Sequence, residues 1–334
     1  MNNFWNKHDV LITGADGFIG SHLTEKLVSL NANVTALSYY NSRGSNGWLD
    51  NVYDKIPDNL IVKQGDIRDA HFIDGIIGNA TTVFHLSSLI AIPYSYTAYQ
   101  SYIDTNITGL SNLLTSCRRY DVQKIVHTST SEVYGSALYT PIDEKHPLQG
   151  QSPYSGSKIA ADVIADSFFR SFDLPITTAR PFNTYGPRQS LRAVIPAVIQ
   201  QLINKEDGSF LDIGDITPKR DFNFVSDTVD GFLSLGEEKN VLGKVYNIGS
   251  GVDVSIKELC DILFEISGKK LEYRTDTQRL RPDKSEVNRL LCDSSLIKKS
   301  TGWESKIDLY DGLKITYDWF KSNSDQYGKE TFLL

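Results

Sequence analysis

A short apolar run that stops at glycine constrains this chain more than any other feature. Val10-Leu11-Ile12-Thr13 is followed by Gly14, Gly17 and Gly20, spaced G-x-x-G-x-x-G. Gly17-Phe18-Ile19-Gly20 opens an apolar-periodic stretch to about Leu30, which reads as a helix. The alternation then repeats. Strands are predicted at 33–37, 60–62, 82–86, 124–128 and 176–180, with helices over 103–120 and 153–172. Strands alternating with helices argue for an α/β fold, a Rossmann-type doubly wound parallel sheet.

After Pro181 the texture changes. Asn183 to Arg188 reads as a loop, leading to a helix near 193–204. A strand at 222–225, a helix near 227–235, a strand at 245–249 and a helix at 255–267 follow, the last with Ser255 and Glu258 spaced as a capping box. We expect residues 1–181 to form one domain, to which part of 222–250 returns, and residues 182–334 to form mainly a smaller C-terminal α/β lobe that takes the substrate.

The glycine triplet lets the backbone turn tightly and approach a pyrophosphate that faces the helix N-terminus, so the sequence predicts a dinucleotide site at Gly14, Gly17, Phe18, Ile19 and Gly20. Asp66 and Ile67, after the third strand, are placed to reach an adenine. Asp69 reads equally well as a helix cap. Leu86, Ser87 and Ser88, after the fourth strand, fall near the nicotinamide. The end of the second strand reads Leu37-Ser38-Tyr39-Tyr40-Asn41-Ser42-Arg43, with no carboxylate for the ribose hydroxyls. Ser38 and Arg43 would accept a ribose phosphate, which leans towards NADP within a general expectation of NAD(P); Arg43 reads equally as a solvated loop charge.

Residues 129–135 read Ser-Thr-Ser-Glu-Val-Tyr-Gly, and 154–158 read Tyr-Ser-Gly-Ser-Lys. A Tyr and a Lys four apart share one helix face. The ammonium of Lys158 would lower the pKa of the Tyr154 phenol and make it a base near neutral pH. Thr130, Ser131 and Glu132 add two hydroxyls and a carboxylate where a parallel strand ends, which is where ligands bind in such sheets.

Composition narrows the partners. The chain has 334 residues, 40% hydrophobic and 22% charged, with a net charge of −7. No basic run points to nucleic acid or an anionic membrane. No apolar run approaches the roughly 20 residues of a membrane span. Three cysteines without metal-like spacing, and a start that runs almost directly into a strand, predict a reduced, cytoplasmic protein without a signal peptide. We expect no catalytic metal.

Together these residues resemble the extended short-chain dehydrogenase/reductases that act on nucleotide sugars. The resemblance spans nearly the whole chain and includes Arg180-Pro181-Phe182-Asn183-Thr184-Tyr185-Gly186-Pro187-Arg188, Lys219-Arg220-Asp221-Phe222 and Tyr246-Asn247-Ile248-Gly249. It implies a nucleotide-sugar substrate held by Tyr94, Asn183, Arg188, Arg192, Arg220 and Arg281, and a homodimer through helices near 103–119 and 154–171. The acid at Glu132 is similar to 4,6-dehydratases and nucleotide-sugar decarboxylases rather than plain 4-epimerases. Three segments, 92–96, 127–132 and 141–148, are similar to the GDP-N-acetylglucosamine 4,6-dehydratases of bacterial legionaminic acid synthesis. That implies GDP-N-acetylglucosamine as substrate, with UDP-N-acetylglucosamine as its rival. The implied chemistry is oxidation at sugar carbon 4 with Tyr154 as base, loss of water from carbons 5 and 6 with Glu132 as base, and return of the hydride to carbon 6. A decarboxylase acting on a nucleotide glucuronate is the alternative, and a 4-epimerase the third.

Overall fold

A computed structural model describes residues 4–279 and 287–327. The first half contains strands β1 (Asp9–Thr13), β2 (Asn33–Tyr39), β3 (Leu60–Gly65), β4 (Thr82–His85), β5 (Lys124–Thr128) and β6 (Ile176–Pro181). Between them run α1 (Phe18–Ser29), α2 (Leu49–Val52), α3 (Ala70–Ile77), α4 (Ile92–Ser95), α5 (Tyr99–Tyr102), α6 (Gly109–Arg119) and α7 (Pro153–Phe172). The second half adds β7 (Asn183–Tyr185), β8 (Phe210–Ile213), β9 (Lys219–Phe224), β10 (Val245–Ile248), β11 (Asp253–Ser255), β12 (Glu272–Thr275) and β13 (Arg289–Leu290). Its helices are α8 (Val194–Asn204), α9 (Val225–Glu237), α10 (Ile256–Ser267), α11 (Ser295–Thr301) and α12 (Leu309–Ser322).

Seven strands form one parallel sheet in the order β10-β6-β5-β4-β1-β2-β3. The order reverses between β1 and β4, which opens a crevice at their C-terminal ends. Both faces of the sheet are covered, so its central strands are apolar throughout. On one face Leu23, Leu27, Phe232 and Trp303 pack against β1, β5 and β6. On the other, Ile73, Leu110, Leu113, Ala161 and Ala165 do the same. A separate core in the second lobe gathers Tyr185, Ile199, Leu259 and Phe320.

Strand β10 comes from the second half of the chain yet completes the large sheet. The backbone N–H of Asn247 on this strand donates to Glu144 at 2.8 Å, so the 135–152 loop covers the strand's open edge. Both helix starts with strong sequence signals form as expected. Ser152 and Ser155 make a reciprocal cap with Pro153 in the first turn of α7, and Ser255 and Glu258 do so at α10.

Three expectations change. The helix expected over 103–120 is broken: Ile103–Thr108 forms a π-helical turn before α6. Wider turns of this kind cluster at functional sites, and this one buries Asn106. The expected loop after Pro181 includes β7, which pairs parallel with β9; only three residues take part, among turn-forming neighbours. Val225, read as the end of a strand, is the first residue of α9.

The second lobe is tied to the sheet through Asp227 on α9. Its buried carboxylate accepts hydrogen bonds from Ser305 Oγ and from the backbone N–H groups of Lys306 and Ile307, at 2.8–2.9 Å. Replacement by alanine strands these donors. Asp227→Ala should therefore lower stability by about 2–4 kcal/mol, measured by denaturant unfolding. A loss no larger than that of an exposed substitution would contradict this anchoring role.

Candidate active site

The glycine loop is built for close approach. Gly14 has φ +70, and a Cβ there would meet the Ser87 nitrogen at 2.8 Å. A Cβ at Gly20 would collide with the Gly14 carbonyl. Gly17 precedes α1 and contributes no side chain to cap it, so the first N–H groups of the helix are left to an anion. Ser87 N and Leu86 N also donate to Thr13 Oγ1, both at 3.2 Å, which brings the end of β4 against the loop. These residues fit the pyrophosphate of a dinucleotide lying across the crevice.

The end of β2 holds a surprise. No carboxylate follows this strand in sequence, yet one stands there in space. Asp16, from the glycine loop, accepts the Tyr39 N–H at 3.1 Å, and burial raises its pKa. Ser38 is fully buried and Arg43 is exposed. The sequence reading missed Asp16 because it looked along the strand rather than across to the preceding loop. Asp69 caps α3, accepting from His71 N and Phe72 N. Asp66 is engaged by Arg68 within its own turn, and Ile67 packs in the core beside α6.

Tyr154 and Lys158 lie on the first turns of α7, both buried. Thr130, Ser131 and Glu132 open the short helical turn just after β5. Thr130 hydrogen-bonds the Tyr154 side chain, and the Glu132 charge acts on the same phenol. Thr130 thus meets the Tyr154 hydroxyl, with Glu132 in electrostatic reach of it. Burial is the largest influence on Tyr154 and pushes its pKa up, Thr130 lowers it, and Glu132 raises it. The Lys158 ammonium donates to the Thr128 carbonyl at 2.6 Å and reaches Ser88 Oγ at 3.4 Å. Burial in turn pushes Lys158 down to about 8, against the opposing pull of Asp162.

Beneath this site lies a buried polar network that sequence reasoning did not foresee. Asp162, one helical turn beyond Lys158, accepts from Arg180 Nε and Nη2 at 3.1 and 2.8 Å. It also accepts from Ser129 Oγ at 2.9 Å and contacts His127 Nε2 at 3.3 Å. Arg180 donates onward to Tyr134, and Tyr134 to Asn247 on β10. One carboxylate thus links α7 to β5 and β6. His127 and His85 stack with ring centroids 5.7 Å apart, and burial lowers both pKa values, keeping the pair neutral.

Asn106 makes a second set of links. Its side-chain oxygen accepts from Ser88 Oγ and Leu89 N, both at 2.9 Å, and its nitrogen donates to Ser157 Oγ at 2.9 Å. The loop after β4 is thereby joined to α7 beside the Tyr–Lys pair.

The substrate-side residues fall into separate groups. Tyr94 is half exposed, with its ring 6.2 Å from Tyr102, which in turn lies 6.2 Å from Tyr154. Arg192 is exposed, and its charge acts on the Tyr102 phenol. Arg220 is buried on β9, and Asn183 Nδ2 donates to the Asp221 carbonyl at 3.3 Å. The Arg188 guanidinium, on a residue with φ +69, bonds Glu25 Oε2 of α1 at 2.6 Å and Ser21 Oγ at 3.3 Å. Arg281 lies outside the described residues. Among the described residues no group of three or more His, Cys, Asp or Glu side chains is arranged to hold a metal ion, and no helix is long and apolar enough to cross a membrane.

Residues 11–316 match the profile described as GDP-mannose 4,6-dehydratase. The chain belongs to that family. It is thereby an enzyme of the NAD(P)-dependent sugar-nucleotide 4,6-dehydratase class. A dTDP-glucose 4,6-dehydratase from an Actinoplanes species is 32% identical over 323 residues, covering 94% of this chain and 98% of that protein. Among solved structures, DesIV, a dTDP-glucose 4,6-dehydratase from Streptomyces venezuelae with NAD bound, aligns with a TM-score of 0.83 at 28% identity, covering 96% of this chain and 98% of that one. The UDP-glucuronic acid 4-epimerase of Bacillus cereus, with UDP-glucuronic acid and NAD, aligns at 0.85 and 27% identity, covering 94% and 99%.

Asp162 provides the test of the network. Its carboxyl is held below the ordinary range against a burial effect of opposite sign, through His127, Arg180 and Ser129. The stability this contributes is present in full above the ordinary carboxylate range and is lost as pH falls through the depressed value. Asp162→Asn should cost about 3–5 kcal/mol, because Arg180 stays buried without its charge partner. It should also move the alkaline limb of kcat/KM to lower pH, since Lys158 then loses its proton earlier. A pH–rate profile with an unmoved alkaline limb, in a variant that still melts cooperatively, would contradict the link.

Proposed function

We propose that this enzyme converts a nucleotide-linked N-acetylhexosamine to its 4-keto-6-deoxy form, with GDP-N-acetylglucosamine as the preferred substrate. The reaction type is supported by Thr130, hydrogen-bonded to the buried Tyr154 phenol, with Glu132 two residues on in the same turn and within electrostatic reach of that phenol. An epimerase has no use for a carboxylate at that place. The GDP-N-acetylglucosamine assignment is supported by the sequence resemblance of segments 92–96, 127–132 and 141–148.

NAD(P), held by the glycine loop and Lys158, would supply a hydride acceptor for sugar carbon 4 and a hydride donor for carbon 6. The residues do the rest. Thr130 holds the carbon-4 oxygen, and Tyr154 as phenolate removes its proton. Lys158, as ammonium, stabilises that phenolate and binds the nicotinamide ribose. The new ketone acidifies the proton on carbon 5, which Glu132 removes. We assign Glu132 as the acid for the departing hydroxyl as well, because the Ser131 hydroxyl is too weak an acid and is buried. The proton count closes: two leave the sugar, at oxygen 4 and carbon 5, and two return, one on the departing hydroxyl and one at carbon 5.

For the adenosine end we assign Gly14, Gly17, Phe18, Ile19 and Gly20 to the pyrophosphate and Asp66 and Ile67 to the adenine side. Leu86, Ser87 and Ser88 flank the nicotinamide. Asp16 favours NAD, because a carboxylate beside the end of β2 repels a ribose phosphate. Arg192, Arg220 and Arg281 are assigned to the sugar diphosphate. We further infer a homodimer through the π-helical turn, α6 and α7, a reading supported by the outward exposure of Ile103, Val163 and Phe172.

Glu132→Gln should stop the reaction after oxidation, with reduced nicotinamide accumulating on the enzyme and turnover falling by two or more orders of magnitude (~10²–10⁴ for a general base). Tyr154→Phe should abolish even that absorbance change. Normal turnover by the Glu132 variant, or loss of carbon dioxide from UDP-glucuronate as the dominant reaction, would overturn the assignment.

A further inference from the structure

A second set of contacts converges on the glycine loop from the opposite lobe. The segment after β2 lies directly on Asp16. Trp48 N donates to the Asp16 carbonyl at 3.1 Å, and at Gly47, with φ +59, a Cβ would meet that carbonyl at 2.6 Å. The Trp48 ring lies 5.6 Å from Trp319 of α12, edge to face, and 5.7 Å from Tyr327. Tyr327 also packs on Phe320 at 4.9 Å, and its hydroxyl donates to the Gln189 carbonyl at 3.1 Å. The neighbouring residues grip α1: Arg188 through Glu25 and Ser21, and the Pro187 carbonyl through His22 Nε2 at 3.0 Å. Two stretches of the substrate lobe, 187–189 and 319–327, thus close on the loop and on the first turns of the helix that faces the pyrophosphate.

We propose that Trp48, Trp319 and Tyr327 form a clasp that retains the dinucleotide between its two hydride transfers. The need for such retention rests on the reaction proposed above, in which the reduced cofactor must stay bound while water is eliminated. The segment after β2 runs beside the adenosine end of the site. For a dinucleotide to leave, that segment has to lift from Asp16. It cannot lift without separating Trp48 from Trp319 and Tyr327, which belong to the other lobe. Release is thereby coupled to parting of the lobes, and these aromatic side chains are positioning residues that hold the cofactor loop shut. The Arg188–Glu25 pair serves the same closure, which explains why this arginine faces α1.

The test measures release directly, without any sugar. The full-length protein is loaded with NADH and chased with excess NAD, and the loss of bound-NADH fluorescence gives the dissociation rate. Trp48→Ala and Trp319→Ala should each speed release by about tenfold, the scale of a lost aromatic contact in a partly buried cluster. The double variant should release no faster than about the faster single one, because both changes break the same contact. Tyr327→Phe, which keeps the ring and removes only the bond to Gln189, should give a smaller increase and serves as the readout if either tryptophan variant fails to fold. Release rates within about twofold of the parent in all folded variants would overturn the clasp. Because no sugar is present, that result would leave the dehydratase assignment standing, and failure of the dehydratase assignment would leave the release rates as expected.

Discussion

The catalytic geometry depends on one buried carboxylate. Asp162 sits on α7 one turn past Lys158, and its partners Ser129, His127 and Arg180 lie at the end of β5, within β5 and on β6. Such a pair is not a strong source of net stability, because desolvating two charges costs about as much as their attraction returns. What it supplies is registry. A helix packed only by Ala161 and Ala165 against an apolar sheet could slide or rotate at little cost. A helix whose carboxylate must reach three donors on two strands cannot. Tyr154 and Lys158 are therefore presented to Thr130 and the Thr128 carbonyl in one arrangement.

That registry explains how a tyrosine with a raised pKa can serve as a base. In the protein alone burial dominates, and the phenol is held protonated. Lys158 is close to its own titration, at about 8, and is turned to a backbone carbonyl and to Ser88. Activation then belongs to the loaded site, where a hydrogen-bonded substrate hydroxyl and nearby positive charge favour the phenolate. The division of labour follows the fold. Helix α7 presents Tyr154 and Lys158, and the turn after β5 presents Thr130 and Glu132, at the C-terminal side of the parallel sheet. The second lobe contributes Arg220 and, through Trp319 and Tyr327, the aromatic contacts to Trp48.

Much of this was legible in the amino-acid sequence where the chemistry is local. Gly14, Gly17 and Gly20 announce a tight turn, and at Gly14 and Gly20 a side chain would collide with neighbouring backbone. Tyr154 and Lys158 fall on one helix face, and Pro153 stands in the first turn of that helix. Strand alternation was enough to read the sheet, including the return of β10. What escaped is what only three dimensions assemble. Asp16 is brought beside the end of β2 from another segment. The bond from Arg188 to Glu25 on α1 likewise joins residues far apart in sequence. The π-helical turn at 103–108 has the periodicity of an ordinary helix, since its widening answers to the bonds of Asn106 rather than to a local signal. Helix α12 went unread, although its Trp319 is the outer half of the clasp.

The central claim is that a hydride removed at carbon 4 comes back within the same molecule at carbon 6. The most direct measurement is turnover of GDP-N-acetylglucosamine carrying deuterium at carbon 4, with UDP-N-acetylglucosamine run in parallel, read by mass spectrometry and NMR. The account predicts loss of one water and a carbon-6 methyl group holding one deuterium, even when unlabelled NADH is in excess. Deuterium still on carbon 4 of a sugar that has lost no water would make the protein an epimerase and contradict the role of Glu132. Deuterium washed out into the free cofactor would contradict both internal transfer and retention.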